Sequence, residues 1–407
     1  MVLESPEADA TQMRQAGKDL LSLALLDARN HTLRWITAYE DAIGTAQFQV
    51  PESPDLLPPL WLLGHVGWFQ ERWIARNVQR QRGTKADASA TRLASVLPDA
   101  DRWYDPVQSA RGIRWHLDLP DLAATKQYLA ETMDIALDLL DGASETDEAL
   151  YFFRLALFHE DMQGEAFAEM AQTLGIPAAP GLLRDWLTTA QREPLLFPAT
   201  RWQLGCVPGG FVFDNEKWAH EVAVPEFEID AQPVTWAQFT EFAEDGGYDN
   251  PQWWTNEGLA WLRATERRVP RHVDQMRQGV LQQRFGRLSR VPLTQPVLHV
   301  SWHEAHAWCR WAGRRLPSEV EWEAAAQAYS RGFAWGSVWE WTATTFRPYP
   351  GFAADPWAAY SEPFFGRAKV LRGASVATRK RMAHTRLRRF AAPERDDMLC
   401  GFRSCAL

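Results

Sequence analysis

Two histidines in strongly apolar segments are the residues of clearest chemical potential in this 407-residue sequence. His65 lies in P-L-W-L-L-G-H-V-G-W-F-Q, and His159 lies in L-A-L-F-H-E-D-M-Q-G-E. Positions i and i+4 share a helix face, so Leu155, His159 and Gln163 are predicted to project from one side. A lone histidine on an apolar helix face is usually a packed core residue. Facing helices of a bundle also build metal sites, so both interpretations stand at this point.

Four helical segments are predicted to position these histidines. The apolar periodicity predicts helices over residues 10–46, 60–78, 121–140 and 147–174. Asp121 is the expected N-cap of the third helix, and Gly175 is expected to end the fourth. The four segments together predict a four-helix bundle with one histidine on its second helix and the other on its fourth.

The sequence changes character after the fourth helix. Residues 177–198 are predicted to be a proline-punctuated linker, after which glycine, proline and tryptophan become frequent and apolar runs shorten. Helices are then predicted only over residues 235–244, 302–312 and 318–328, among short strands and ordered loops. The predicted fold class is therefore α+β with two domains, a helical bundle (10–176) and an irregular α+β domain (199–407).

Composition excludes several functional classes. The net charge is −9 and no long Lys/Arg block occurs, which argues against nucleic acid as the main partner. The sequence contains no run of 18 apolar residues, so no membrane span is predicted. The start M-V-L-E-S-P-E-A-D-A lacks the basic and apolar regions of a secretory signal. Four cysteines without a CxxC pair fit a reducing compartment, so the expectation is a cytoplasmic protein; its oligomeric state is not indicated.

The second half of the chain contains a linked set of motifs. They are G-G-F-V-F-D-N-E-K-W-A-H-E-V (209–222), P-V-T-W-A-Q-F (233–239), H-V-S-W-H-E-A-H-A-W-C-R-W-A-G-R-R-L-P-S-E-V-E-W-E (299–323), V-L-R-G-A-S (370–375) and C-G-F-R-S-C-A (400–406). Together they resemble the formylglycine-generating-enzyme-like (sulfatase-modifying-factor) domain. The resemblance implies a fold that is related to that of C-type lectins. In the first half, G-H-x-x-W-F and H-E-x-x-x-G-E resemble a DinB-type helical bundle.

The pairing of these two domains resembles the nonheme-iron sulfoxide synthases of ergothioneine biosynthesis. Y-S-E-P-F-F-G and P-E-R-D-D are most similar to the selenoneine synthase branch. The resemblance implies an enzyme that binds Fe(II) through three histidines where the two domains meet. It further implies that O₂ is used to join a donor atom to C2 of the imidazole of hercynine. The donor is a selenosugar in the selenoneine branch, and γ-glutamylcysteine or cysteine in the ergothioneine branch.

The selenosugar reaction is the primary hypothesis, with an ergothioneine-type sulfoxide synthase as its alternative. A non-catalytic ligand-binding protein is the second alternative. A copper-dependent formylglycine-generating enzyme is disfavoured, because Cys400 and Cys405 fall in the terminal motif and do not form a distinct reactive pair.

The resemblance assigns iron ligation to His65 and His159, and it places Gln163 where the third histidine is expected. A glutamine carbonyl binds iron more weakly than imidazole does. Gln163 as a ligand, water in its place and impaired iron affinity therefore all stay open.

In T-F-R-P-Y-P-G-F, Phe346 occupies the position of a proton-donating tyrosine, and Tyr349 keeps the second tyrosine. Because a phenyl ring cannot donate a proton, that step must differ or use another group. Both residues are predicted to be catalytic positions.

Substrate-binding roles are predicted for six further residues. They are Arg388, Arg395, Phe390, Trp339, Arg111 and Arg114. Arginines suit carboxylates and multiple hydroxyls, and aromatic rings suit the trimethylammonium group of hercynine. A solvated basic loop and a packed tryptophan are the corresponding alternatives.

Overall fold

The computed structural model describes residues 6–44, 48–188 and 192–407. The chain divides into two compact units. Unit 1 consists of Met1–Leu182, Gly209–Val212 and Asp355–Trp357, and unit 2 consists of Leu183–Pro208, Phe213–Ala354 and Ala358–Leu407. Two short segments from the second half of the sequence therefore belong to the helical unit.

Unit 1 is an all-helical structure. Its helices are α1 (Pro6–Arg14), α2 (Lys18–Ile43), α3 (Pro59–Gln70), α4 (Ala100–Tyr104), α5 (Leu122–Asp141) and α6 (Asp147–Leu174). A π-helical turn (Glu71–Ala75) continues α3, and 3₁₀ turns span Arg80–Lys85 and Arg111–His116. The long helices α2, α3, α5 and α6 pack against one another as the bundle.

The bundle helices follow the sequence prediction closely where their ends have local causes. The side chain of Asp121 accepts a hydrogen bond from the backbone N–H of Ala124 and so caps α5. Gly175 ends α6 in the left-handed conformation, at φ 70°. Inside the bundle, Arg29 on α2 donates to Glu160 on α6 at 2.9 Å and to Gln70 on α3 at 3.0 Å. It also donates to the Leu129 carbonyl on α5, so one buried guanidinium joins the four bundle helices beside His159.

The first two predicted helices need correction. The continuous helix predicted over 10–46 is wrong, since α1 ends at Arg14 and α2 begins at Lys18; residues 45 and 46 lie outside the described part of the chain. The interruption frees the carbonyl of Ala16, which accepts two hydrogen bonds from Arg154 on α6. The second predicted helix keeps α-helical geometry only to Gln70.

Unit 2 contains short strands and short helices, as expected for an α+β fold. Its strands are β1 (Leu195–Phe197), β2 (Thr200–Leu204), β3 (His220–Val224), β4 (Phe227–Ile229), β5 (Val273–Gln275), β6 (Val280–Arg284), β7 (Arg287–Val291), β8 (Arg314–Arg315), β9 (Trp339–Thr345), β10 (Lys369–Gly373), β11 (Arg389–Ala391), β12 (Cys400–Phe402) and β13 (Cys405–Ala406). Its α-helices are α7 (Trp236–Glu244), α8 (Asn256–Thr265), α9 (Trp302–Trp311) and α10 (Glu319–Ala328).

Four sheets organise unit 2. Their strand orders are β1-β4-β13-β8, β11-β10-β9-β12, β2-β3 and β5-β6-β7. The pairs are antiparallel except β12 with β9, which is parallel. Helix α8 lies in a segment without a predicted helix; Thr255 caps it, but Gly258 in its first turn weakens the helical pattern of the sequence.

The core of unit 2 contains paired charges as well as aromatic rings. Trp322 on α10 is fully buried, and its indole N–H donates to Glu340 at 2.8 Å. Arg403, also fully buried, pairs with the same carboxylate. Buried charges of this kind are stable only when paired and hydrogen-bonded. Within residues 6–44, 48–188 and 192–407, no helix has the length and apolar character needed to cross a membrane.

Candidate functional site

His65 lies in the middle of α3 in an aromatic setting. Its ring stacks on Trp61 at a centroid distance of 5.0 Å and on Trp68 at 5.4 Å. Its Nδ1 lies 2.9 Å from the backbone carbonyl oxygen of Tyr104. Since a carbonyl only accepts, Nδ1 carries the proton and donates, which leaves the lone pair on Nε2. This contact fixes both the tautomer and the ring orientation.

His159 on α6 is held between two other rings. Phe69 stacks on it with a centroid distance of 3.6 Å, and Trp357 meets it edge to face at 5.4 Å. Trp357 also contacts Phe69 at 4.8 Å. The neighbouring Asp355 accepts a hydrogen bond from Tyr151 at 2.8 Å, which attaches this short segment to α6.

The two histidines and Gln163 come together within unit 1. The ring centroids of His65 and His159 lie 5.1 Å apart, at 67°. Nε2 of the Gln163 amide lies 3.1 Å from Nε2 of His159. The i, i+4 spacing on α6 thus brings the amide to the ring nitrogen as the sequence suggests.

Both imidazoles are neutral near pH 7. Burial lowers the pKa of His65 to about 4, with a smaller opposing effect from the Tyr104 carbonyl and a further lowering by Arg114. Burial, followed by the charge of His65, lowers the pKa of His159 well below its usual value. Neutral imidazole is the form that binds metals.

The donor set fits a divalent metal with nitrogen and oxygen ligands. Two buried neutral imidazoles converge, and one of them is oriented by a carbonyl. The Gln163 amide nitrogen faces Nε2 of His159, so this amide would have to turn its oxygen toward the site to bind a metal. Groups of three or more His, Cys, Asp or Glu with metal-binding geometry do not occur in the described residues. A metal here would therefore be held by His65, His159 and the carboxamide of Gln163. His31 is also buried in this unit, and its Nε2 accepts the indole N–H of Trp35 at 3.2 Å.

Of the two arginines predicted from the first half, Arg114 lies near His65 and Arg111 borders a cavity of the same unit. The guanidinium of Arg114 lies 3.8 Å above the ring of Trp61, which itself stacks on His65. Arg111 donates to the carbonyls of Pro54 and Leu56. It also borders a cavity of about 430 Å³. The cavity is lined by Glu52, Ser53, Pro54, Arg111, Gly112 and Trp115.

In unit 2, Tyr349 and Arg388 belong to one buried cluster around Glu319. Arg388 donates to both carboxylate oxygens of Glu319, at 2.9 and 3.1 Å, and to the carbonyls of Asn215 and Arg347. The Tyr349 hydroxyl and Arg372 also bond to Glu319, at 3.2 and 3.0 Å. Burial raises the pKa of Glu319, but Arg388 and Arg372 outweigh it and hold this pKa below its usual value. Substrate binding by Arg388 stays a prediction.

The other predicted residues of unit 2 are engaged in packing or ion pairs. Phe346 is fully buried and stacks on Phe390 at 4.1 Å. Trp339 is buried on β9 with the guanidinium of Arg389 at 5.3 Å from its ring, and Arg395 pairs with Asp397. Their catalytic or substrate-binding roles stay predictions, as does the catalytic role of Tyr349.

Sequence reasoning missed several groups around these sites. Trp357 and the Tyr104 carbonyl contact the two histidines, and Glu319 organises the cluster in unit 2. The aromatic character of P-W-A-A-Y could have suggested Trp357 as a packing residue. The backbone contact of Tyr104 leaves no mark on the sequence.

Comparisons with known proteins match both halves of the chain. Residues 25–171 match the DinB superfamily, and residues 199–337 match the sulfatase-modifying factor enzyme 1-like domain. The chain is 30% identical to the hercynine oxygenase of Mycolicibacterium smegmatis, with 95% of this chain and 98% of the relative covered. It is 29% identical to the hercynine oxygenase of Mycobacterium tuberculosis, over 94% and 97%. The formylglycine-generating enzyme of Streptomyces coelicolor is 26% identical, and that match covers only 45% of this chain.

Proposed function

The chain belongs to the hercynine oxygenase family, and we propose that it joins a chalcogen donor to the imidazole C2 of hercynine in an Fe(II)- and O₂-dependent reaction. The observation on which this proposal depends is the convergence of His65, His159 and Gln163. The chain also contains a DinB domain followed by a sulfatase-modifying factor enzyme 1-like domain, and this combination supports the proposal. Two facing neutral histidines without that family context would be compatible with simple packing.

His65, His159 and Gln163 would hold the iron. When bound, Fe(II) supplies the one-electron and O₂ chemistry that no amino-acid side chain can provide. His65 keeps its proton on Nδ1, at the Tyr104 carbonyl, and so presents Nε2. Phe69 and Trp357 hold the ring of His159 and keep bulk water from it. The protein contributes orientation and a dry aromatic environment.

Sulfur is the donor that the relatives support, so the proposed reaction is an ergothioneine-type sulfoxide synthesis from γ-glutamylcysteine or cysteine. A selenosugar is the second candidate, and Phe346 is the observation in its favour. Its phenyl ring lacks the hydroxyl expected there and is packed on Phe390. A selenol is more acidic than a thiol and is already deprotonated near neutral pH, so a selenium donor depends less on a phenol that exchanges protons.

A competition assay tests the proposal. Fe(II)-loaded protein is incubated with hercynine, O₂ and equal amounts of γ-glutamylcysteine, cysteine and a selenosugar, and the products are identified by mass spectrometry. A sulfoxide adduct of hercynine is the expected product, and a selenium adduct would establish the second candidate. Oxygen-independent product, or none from any donor, would overturn the proposed function.

A pair of variants connects the reaction to the site. His159→Ala is expected to lose Fe(II) binding and product formation together, because it removes one of two imidazole ligands. His116→Ala, which changes an exposed histidine of the same unit, is expected to retain both. A His159→Ala protein that still forms product without iron would exclude this metal site.

A further inference from the structure

Arg284 on β6 is a largely buried arginine whose partners are uncharged. Its Nε donates to the Gln282 side chain and its Nη1 to that of Gln295, each at 2.8 Å. Its guanidinium lies 4.4 Å from the ring centroid of Trp186. Burial lowers the pKa of Arg284 to about 10, with no opposing carboxylate among the described residues. A buried charge without a partner of opposite charge is costly. We therefore expect a counter-ion for this guanidinium from outside the described residues.

Further polar atoms around Arg284 also lack hydrogen-bond partners within the described protein. They are Nη2 of Arg284, Nε2 of Gln282 and Nε2 of His272, together with the ring nitrogen of His299 that does not face the Met398 carbonyl. His299 and Gln282 are fully buried. The rings of His272 and His299 lie 4.8 Å apart, edge to face. We refer to Gln282, Arg284, His272 and His299 as the arginine–histidine cluster.

The backbone of the cluster is held in an unusual conformation. The backbone of His272 has φ 65° and that of His299 has φ 62°. Both lie in the left-handed region that residues other than glycine rarely adopt. The carbonyl of His272 accepts from the N–H of Gln283 at 2.8 Å, and the N–H of His299 donates to the carbonyl of Cys400 at 2.9 Å. Such conformations concentrate at ligand-binding positions, where surrounding structure maintains them.

The cluster is rich in donors and electropositive. Burial, together with Arg271 and Arg267 and against Asp397, lowers the pKa of His272 to about 4. Burial, His272 and nearby arginines that include Arg284 lower the pKa of His299 well below its usual value, and the Met398 carbonyl opposes this only weakly. Each neutral imidazole carries one N–H; that of His299 is directed to the Met398 carbonyl, so the N–H of His272 is the one offered to a ligand.

Two neighbouring arginines do not change this balance. Arg267 and Arg271 both donate to the carboxylate of Asp396, at 2.8 and 3.0 Å. Asp396 therefore pairs with Arg267 and Arg271, and it does not neutralise the positive charge of Arg284.

We propose that the arginine–histidine cluster binds a small monovalent anion, either chloride or the carboxylate of a small acid. An acceptor-only ligand is what the guanidinium, the amide N–H₂ and the imidazole N–H of His272 can satisfy together. The anion would supply the missing counter-ion of Arg284. This site is independent of the reaction proposed above.

Thermal unfolding of the full-length protein in different sodium salts tests the proposal. Chloride, bromide, formate and acetate are each compared at equal ionic strength with gluconate, which is too large for a buried site. The midpoint is expected to rise by about 2 °C per tenfold increase in anion concentration above the dissociation constant. A halide effect alone identifies chloride as the ligand, and a larger formate or acetate effect identifies a carboxylate. Equal midpoints in all five salts would overturn the proposal.

Matched arginine variants separate specific binding from general salt effects. Arg284→Met is expected to lose the anion dependence, and in gluconate it should unfold at a higher temperature than the wild type because it removes an unpaired charge. Arg290→Met, on the adjacent strand β7 and exposed, is expected to keep the wild-type dependence. A bromide-grown crystal should give an anomalous peak beside Nη2 of Arg284. The site would be excluded if two results are found together. One is a peak beside Nη2 of Arg284 that is explained by water alone, and the other is an unfolding midpoint of Arg284→Met that still rises with chloride.

Discussion

Replacing Gly64 by alanine is expected to disturb His65 without altering the histidine itself. A Cβ at position 64 would lie 2.2 Å from the ring of Tyr104, whereas ordinary van der Waals contact begins at 3.4 Å. The ring must move by about 1.2 Å, and because Tyr104 is fully buried we expect its backbone to shift with it. The Tyr104 carbonyl is the group that orients Nδ1 of His65 at 2.9 Å, so the substitution should displace this hydrogen bond.

Two opposing effects set the magnitude. Alanine gains about 1 kcal/mol over glycine in a helix interior, and overpacking costs about 1–3 kcal/mol. The free energy of unfolding of the metal-free protein should therefore fall by at most about 2 kcal/mol. Loss of a hydrogen bond that orients a ligand typically weakens metal binding about 10–100-fold. Fe(II) affinity should consequently change more than stability does.

Gly67→Ala is the matched control on the same helix. There the nearest heavy atom to an added Cβ is the terminal methyl Cδ1 of Leu129 at 3.0 Å, which can move. Anaerobic Fe(II) titration and urea unfolding of both variants provide the measurements. Gly67→Ala should bind Fe(II) like the wild type. If Gly64→Ala binds it equally tightly, the Tyr104 carbonyl does not orient a metal ligand, and the reasoning fails.

Three further perturbations have defined outcomes. Gln163→His should tighten Fe(II) binding in the same titration, because imidazole is a stronger iron ligand than a carboxamide oxygen; unchanged affinity would remove Gln163 from the ligand set. Glu319→Gln should lower the free energy of unfolding by about 3–5 kcal/mol in urea, since it leaves the buried Arg388 without a carboxylate, whereas Arg372 keeps its pair with Glu323 at 3.1 Å; a loss below about 1 kcal/mol, the size of an ordinary hydrogen bond, would contradict the geometry. Glu304 has a pKa raised to about 7, mainly by burial and then by Asp396. The folded protein therefore binds the Glu304 proton more tightly than the unfolded chain does. Protonated Glu304 stabilises the fold at low pH, and this stabilisation is lost as the pH rises from about 4.5 to 7. The free energy of unfolding should fall by about 3 kcal/mol over that range. Urea unfolding at several pH values should show a correspondingly smaller decline for Glu304→Gln, and parallel curves for the two proteins would refute this assignment.

The sequence predicts bundle helices well where their limits depend on neighbouring residues. The cap of Asp121 and the left-handed Gly175 act within one turn of their own helices. The break between α1 and α2 has a different origin. The freed carbonyl of Ala16 is satisfied by Arg154, 138 positions later, and no local pattern contains that contact.

The candidate site is predictable to a similar degree. Residue type and spacing place His65 and His159 on two helices of a bundle and Gln163 one turn from His159, and the family resemblance groups the three as one predicted site. They do not predict Trp357, which reaches His159 from the second half of the chain. Nor do they predict that Arg388 is buried on Glu319, because the identity of an arginine does not indicate its partner. Local sequence identifies the reactive side chains, and tertiary contacts determine how each is held.

The segment Asp355–Trp357 has a consequence for biosynthesis. Its hydrogen bond to Tyr151 joins residues 204 positions apart. At about 5–20 residues per second, a ribosome needs roughly 10–40 s to extend the chain from Tyr151 to Asp355. During that interval α6 is already synthesised while the face that includes His159 lacks its covering tryptophan. The nascent helical unit therefore exposes aromatic surface until late in translation, and it is in this period that it most depends on chaperone protection.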